Sequence, residues 1–303
     1  MTPEEKQGIE VEDAAEATND LSRRDFVALS VGAGLALAAG SAAAADMAVV
    51  ETAVEVKTPD GTCDAMFIHP KNGSHPGVLI WPDAFGLRPS MRDIGKRIAA
   101  DGYSVLVPNP FYRVAKAPVV QDPSSFNFQN PADMAKLQPL MASINAPGAC
   151  EKDAVAFITF LDAQKEVNKS KKIGTQGYCM GGPLVVKTCA TVPERVGAGG
   201  SFHGGGLVTD KPDSPHLLAP KIKARMYFGI ASNDDMRQPD AKDKLKASFA
   251  AANVPAEIEV YSGSLHGWCV PDMPVQNGMP IYNKADAERA WGKLVALYKT
   301  ALA

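Results

Sequence analysis

The chain has 303 residues, 46% of them hydrophobic and 21% charged, which suits one large globular domain with a sizeable core. A formal net charge of −3, with no cluster of Lys and Arg, argues against a nucleic-acid partner. Five cysteines leave at least one thiol unpaired within a single chain, and neither C-x-x-C nor H-E-x-x-H occurs, so the spacings offer no zinc site.

Residues 1–45 read apart from the fold. Residues 1–21 are polar and acidic without apolar periodicity, the composition of a disordered segment. Ser22-Arg23-Arg24-Asp25-Phe26 then opens an uncharged stretch that runs to Ala45 and ends in small residues. This pattern resembles a twin-arginine export signal, with cleavage expected near residues 43–45. Only five larger aliphatics lie in the stretch 27–45, which makes it a poor membrane anchor. The expectation is an exported, periplasmic mature chain, residues 46–303, with no stable membrane association once the signal is removed. An oxidising compartment favours disulfides, but a chain exported already folded needs them less. We expect no disulfide that includes Cys179, and buried thiols at Cys63, Cys150 and Cys189.

Residues 49–57 alternate as a half-exposed strand, Pro59-Asp60-Gly61 is a turn, and 63–69 returns, so the domain opens with a hairpin. Residues 77–81 are a continuous apolar run between two prolines, as in a buried strand. Ser90 with Asp93 signals a helix start, and 91–101 carries apolar residues at helical spacing before a strand at 103–107. The segment 114–147, rich in Pro, Asn and Gln with one helix at 132–144, reads as an excursion over the carboxyl edge of the sheet. A helix at 151–164 and a strand at 172–175 lead into a second helix after Cys179. Strands at 197–202, 225–231 and 256–261 then alternate with helices at 240–252 and 284–302. Strand–helix alternation implies a mostly parallel sheet covered on both faces, with its chemistry on the loops beyond the carboxyl ends of the strands.

Those loops carry a pattern. Gly177-Tyr178-Cys179-Met180-Gly181 fits the nucleophile elbow G-x-S-x-G with Cys in place of Ser. Glycines are needed there because a side chain lifted on a sharp strand-to-helix turn leaves no room for its neighbours' side chains. After the strand 225–231 comes Ser232-Asn233-Asp234-Asp235, and after 256–261 comes Ser262-Gly263-Ser264-Leu265-His266. The order is nucleophile, then acid (Asp234 or Asp235), then base, as in the α/β hydrolases. In this reading His266 takes the Cys179 proton and returns it to the leaving group, and the aspartate orients the imidazole. The amides of Met180 and of Ala84, on the loop after 77–81, form the oxyanion hole. Phe85 and Trp268 wall the pocket, and His203, after the strand 197–202, lines it.

The segment 81–113 (WPDAFGLRPSMRDIGKRIAADGYSVLVPNPFYR), Gly177 to Gly182 (GYCMGG), Asp234 and His266-Gly267 together resemble the dienelactone hydrolase family, the carboxymethylenebutenolidases. The resemblance runs from about residue 49 to the C-terminus. It implies an α/β-hydrolase fold that opens a lactone or small ester through a thioacyl enzyme, with no metal or organic cofactor. It also implies that Asp83, where the best-known members carry Glu, controls the proton of Cys179, and that Arg113 holds a substrate carboxylate. The second basic residue that follows the histidine in those members has no counterpart after Trp268, which widens the expected substrates to small esters and lactones generally. The expected state is a monomer or small homo-oligomer. The competing reading is an exported, non-catalytic ligand-binding protein on the same fold.

Overall fold

In the computed structural model, residues 47–276 and 278–303 are described. The export signal expected in residues 1–45 lies outside them. Strands β1 (Val49–Thr58) and β2 (Gly61–Pro70) form the opening hairpin, in register from Val49 opposite Pro70 to Thr58 opposite Gly61. The chain continues through β3 (Gly77–Trp81), α1 (Pro89–Ala100), β4 (Ser104–Pro108), α2 (Pro131–Asn145) and α3 (Ala149–Ala163). It then passes β5 (Ile173–Tyr178), α4 (Gly181–Thr191), β6 (Val196–Phe202), β7 (Arg225–Ala231), α5 (Ser232–Arg237), α6 (Ala241–Ala251) and β8 (Ala256–Tyr261). A two-residue ribbon, β9 (Val275–Gln276) with β10 (Met279–Pro280), precedes the closing helix α7 (Lys284–Ala301).

Eight strands make one sheet in the order β1-β2-β4-β3-β5-β6-β7-β8. β1, β2 and β4 pair antiparallel; every pairing from β4 through β3 to β8 is parallel. Two glycines of β5 explain how helices cover both of its faces. Three residues apart on a strand, Gly174 and Gly177 point to opposite sides. A Cβ on Gly174 would stand 2.8 Å from the ring of Tyr298 in α7; one on Gly177 would stand 2.2 Å from the Gly181 carbonyl at the head of α4. Both helices therefore ride directly on the strand that leads into Cys179.

Helix α1 starts at Pro89, one residue before Ser90. Proline suits the first helical position, where its missing N–H has no partner to lose; the Ser90 hydroxyl is buried and does not cap. The Ser232-Asn233-Asp234-Asp235 run, expected as a loop, is the first turn of α5. Its carboxylates favour the positive end of a helix. Within the excursion, Asn130 caps α2 by accepting from the Ala132 amide, and Pro131 follows at the first helical position. All five cysteines are free thiols, with Cys63, Cys150 and Cys189 buried. Among the described residues, no helix is long and apolar enough to cross a membrane.

Candidate active site

Four parallel strands of the sheet deliver the candidate residues at their carboxyl ends. β3 ends at Trp81 and leads to Asp83, Ala84 and Phe85. β5 ends one residue before Cys179; β7 runs into Asn233 and Asp234, and β8 into His266.

Cys179 occupies the left-handed region at φ +51°, unusual for a residue with a side chain. The turn is held by close approach of backbone to backbone. A Cβ on Gly181 would fall 2.3 Å from the Trp81 carbonyl oxygen, so only glycine fits there. The Cys179 amide donates to both the Phe202 carbonyl and Nδ1 of His203, each at 3.0 Å. Helix α4 begins two residues on and turns its N-terminal end toward the thiol.

His266 Nδ1 and Asp234 Oδ2 are 2.7 Å apart. Asp235 turns away to Lys242, also at 2.7 Å, so of the two aspartates Asp234 is the one that meets the histidine. The His266 backbone N–H donates to Oδ1 of Asn233 at 2.8 Å, so two consecutive residues of one helical turn fix both ends of the histidine. Burial disfavours charge on this imidazole, yet the adjacent Cys179 and the hydrogen bonds to Asp234 and Cys179 outweigh it and push the pKa up to about 10. The surroundings thus favour the protonated imidazole.

Cys179 and His266 open onto a cavity of about 630 Å³, also lined by Asp83, Ala84, Phe85, Asn233 and Arg237. Phe126 and Phe128, from the excursion, pack on Phe85 with ring centroids 5.0–5.6 Å apart and make an aromatic wall. The ribbon supplies Val275 at the rim. Among the described residues, neither the Ala84 nor the Met180 amide donates to a protein acceptor. Ala84 faces the cavity, while the buried Met180 heads α4 immediately behind Cys179.

Four expected site residues are placed differently. Asp83 does line the cavity, but both its oxygens are taken: the Arg88 guanidinium grips them at 2.7 and 2.9 Å, and the Phe85 amide adds a bond at 2.9 Å. Arg88 also grips Asp272 with two bonds of 2.8 Å, so it ties the β3 loop to the segment after His266. The guanidinium is buried, and these carboxylates raise its pKa despite the desolvation that opposes charge. Asp83 is therefore an anchor, not a partner of the thiol. Arg113 lies outside the cavity, held by two bonds to Asp153 at 2.7 and 2.8 Å and by Asp60 at 2.8 Å. Trp268 is fully buried beneath the site, its indole stacked on Tyr261 with centroids 4.7 Å apart, and forms no wall. His203 is likewise fully buried, its ring 5.0 Å from that of His266, and does not reach the cavity.

Sequence reading missed Asn233, Arg88, Phe126, Phe128 and Arg237. Asn233 stood beside a candidate acid, and Phe126-Asn127-Phe128 was an aromatic pair in an otherwise polar excursion. Arg237 follows Asp234 by three residues, a relation that matters only once the segment is known to be helical.

A parallel sheet with an elbow cysteine, an acid after β7 and a histidine after β8 defines the α/β-hydrolase class. Within that class the chain belongs to the dienelactone hydrolase family, a family of hydrolases, whose profile matches residues 63–302. It is 28% identical over 293 residues, 92% of each chain, to a protein of Methylorubrum extorquens provisionally named a carboxymethylenebutenolidase. Among solved structures, a provisionally named dienelactone hydrolase from Klebsiella pneumoniae superposes with a TM-score of 0.68 at 19% identity, covering 83% of this chain and 99% of that one. A dienelactone hydrolase-like promiscuous phosphotriesterase from metagenomic libraries gives 0.66 at 22%, covering 84% and 99%. These structures share the fold.

Proposed function

We propose that the protein hydrolyses small carboxylic esters or lactones through a Cys179-His266-Asp234 triad and a thioacyl enzyme. The observation that carries this reading is His266, held 2.7 Å from Asp234 and opening with the elbow thiol of Cys179 onto one cavity. A protonated imidazole beside a cysteine stabilises its thiolate, the nucleophilic form. The thiolate sulfur attacks the acyl carbon, and the carbonyl π electrons move to oxygen. That oxyanion takes hydrogen bonds from the Ala84 and Met180 amides, each worth about 3 kcal/mol. As the tetrahedral intermediate collapses, the C–O bond breaks and the leaving alkoxide takes the proton from His266, leaving a thioester. The now neutral His266 removes a proton from water; hydroxide adds to the thioester, and the thiolate is expelled. Asp234 holds the imidazole in the tautomer both steps require.

The aromatic wall of Phe85, Phe126 and Phe128 suits an apolar acyl or alcohol portion. Arg237, mostly exposed at the rim, is the cation that an acidic substrate would meet in place of Arg113. Export by the twin-arginine route remains part of the proposal; N-terminal sequencing of the periplasmic form should begin near residue 46, and an intact residue 1 would refute it. The catalytic reading is tested by hydrolysis of p-nitrophenyl acetate and of a dienelactone, with Cys179→Ala as control. Turnover that depends on the thiol supports it; turnover unchanged in Cys179→Ala, or absent on both substrates, refutes it.

A further inference from the structure

We propose that His203 is a positioning residue for the nucleophile, its unprotonated Nδ1 pinning the Cys179 amide and its ring forming the floor on which His266 rests. The inference rests on the reading of Cys179 as the reactive thiol. Both peptide groups of Cys179 are tied to the end of β6 and the turn after it. The N–H donates to Nδ1 of His203 and to the Phe202 carbonyl, each at 3.0 Å, and the C=O accepts from the Gly205 amide at 3.4 Å as well as from Gly182 of α4 at 3.1 Å. The pinning residue is itself held in place: the His203 N–H donates to the Gly229 carbonyl of β7 at 2.7 Å, and the backbone stands at φ +40°. Two adjoining turns are therefore left-handed at residues that carry side chains. Such strain persists only where the surroundings over-determine it, and it clusters at functional sites.

An imidazole accepting at Nδ1 must carry its proton on Nε2. No described protein atom accepts from that Nε2, although it is buried. An unpaired buried donor is destabilising, so its retention points to a use for the acceptor nitrogen and the ring. The ring faces three others: His266 at 5.0 Å and Trp268 at 5.1 Å from the loop after β8, and Tyr178 at 6.0 Å from β5. Of these, His266 is the one whose surroundings favour the protonated form. Burial first, and then the positive His266, hold the His203 pKa well below its ordinary value. Two imidazoles that meet edge to face thus divide the labour. One keeps a proton for chemistry; the other stays neutral, so that its lone pair can hold the elbow. With the Cys179 N–H engaged behind the turn, the next amide, that of Met180, is left for the developing oxyanion.

The position of the acceptor is what the test should vary. Asn at 203 would place an amide oxygen where Nδ1 stands; Gln would carry it one atom further; Phe would keep the ring and remove the acceptor. The readout is the rate at which iodoacetamide alkylates Cys179 at pH 7, followed by peptide mass spectrometry, because it needs no ester substrate. We expect alkylation roughly tenfold slower in His203→Gln and His203→Phe, and within roughly threefold of wild type in His203→Asn. Esterase kcat should follow the same order with KM unchanged. If His203→Phe does not fold, the comparison of Asn with Gln decides. Equal rates in Asn and Gln, whether both fast or both slow, would overturn the role. Failure of the hydrolase reading shows separately, as ester turnover that survives Cys179→Ala.

Discussion

Asp83 and Asp234 follow strands on either side of β5, and sequence reasoning assigns both a part in controlling Cys179. Their partners separate them. Asp234 faces His266, an imidazole that can hand a proton to a leaving group and take one back. Asp83 faces Arg88, which cannot, and whose fork occupies both carboxylate oxygens. In the proposed mechanism the first pair moves a proton. The second is a fastening between the loop that carries Ala84 and the segment after His266, through Asp272. A carboxylate near a nucleophile takes its role from what it is paired with.

That contrast can be broken experimentally, starting with the largest effect. His266→Ala should lower esterase kcat by on the order of 10³-fold or more. Retention within a few-fold in steady-state assays would remove the histidine from the mechanism. Asp234→Asn should cost about 10²–10⁴-fold in kcat, while Asp235→Asn, paired with Lys242, should stay near wild type.

The same pair makes a pH prediction. The folded pKa of His266 is raised from 6.5 to about 10, so the protonated form stabilises the fold. That contribution is complete below about 6.5 and is lost as pH rises through about 10. Chemical denaturation from pH 6 to 11 should show this loss in wild type, much less of it in Cys179→Ala, which removes the largest favourable contribution, and less in Asp234→Asn. An NMR titration of His266 with an ordinary midpoint would contradict the raised value.

The fastening should answer through stability instead. Arg88→Met leaves two carboxylates unpaired, one of them buried, and should destabilise by about 3–5 kcal/mol in urea melts. Asp83→Asn should leave the pH profile of Cys179 alkylation where it was; a displaced profile would restore Asp83 as the controller of the thiol. The smallest effect expected is at the rim. Arg237→Met should raise KM about threefold to tenfold for acidic esters and leave neutral ones alone. Arg113→Met should instead lower stability without substrate selectivity, because it strands the buried Asp153.

Where apolar runs were bounded by prolines or turns, the strands were legible: β3, β7 and β8 occur over the residues expected. The elbow was legible for a steric reason, since Gly177 and Gly181 stand where any Cβ would meet backbone. Chain order brought Cys179, Asp234 and His266 to one edge because parallel strands all end on the same side. Partners set by distant packing were not legible. Arg113 is claimed by Asp60 and Asp153, 53 and 40 residues away. Trp268 turns inward onto Tyr261, and a strand-end aromatic gives no local sign of which way it will turn. Asp83 could not be assigned until the short Arg88 link was seen, because an arginine before a proline at a helix start reads as surface charge.

The most direct test of the account is to trap the acyl enzyme. Wild-type protein mixed with p-nitrophenyl acetate, quenched in acid and mapped by peptide mass spectrometry should carry one acetyl group, on Cys179. An acetyl group on another residue, together with steady turnover and an unmodified Cys179, would contradict it.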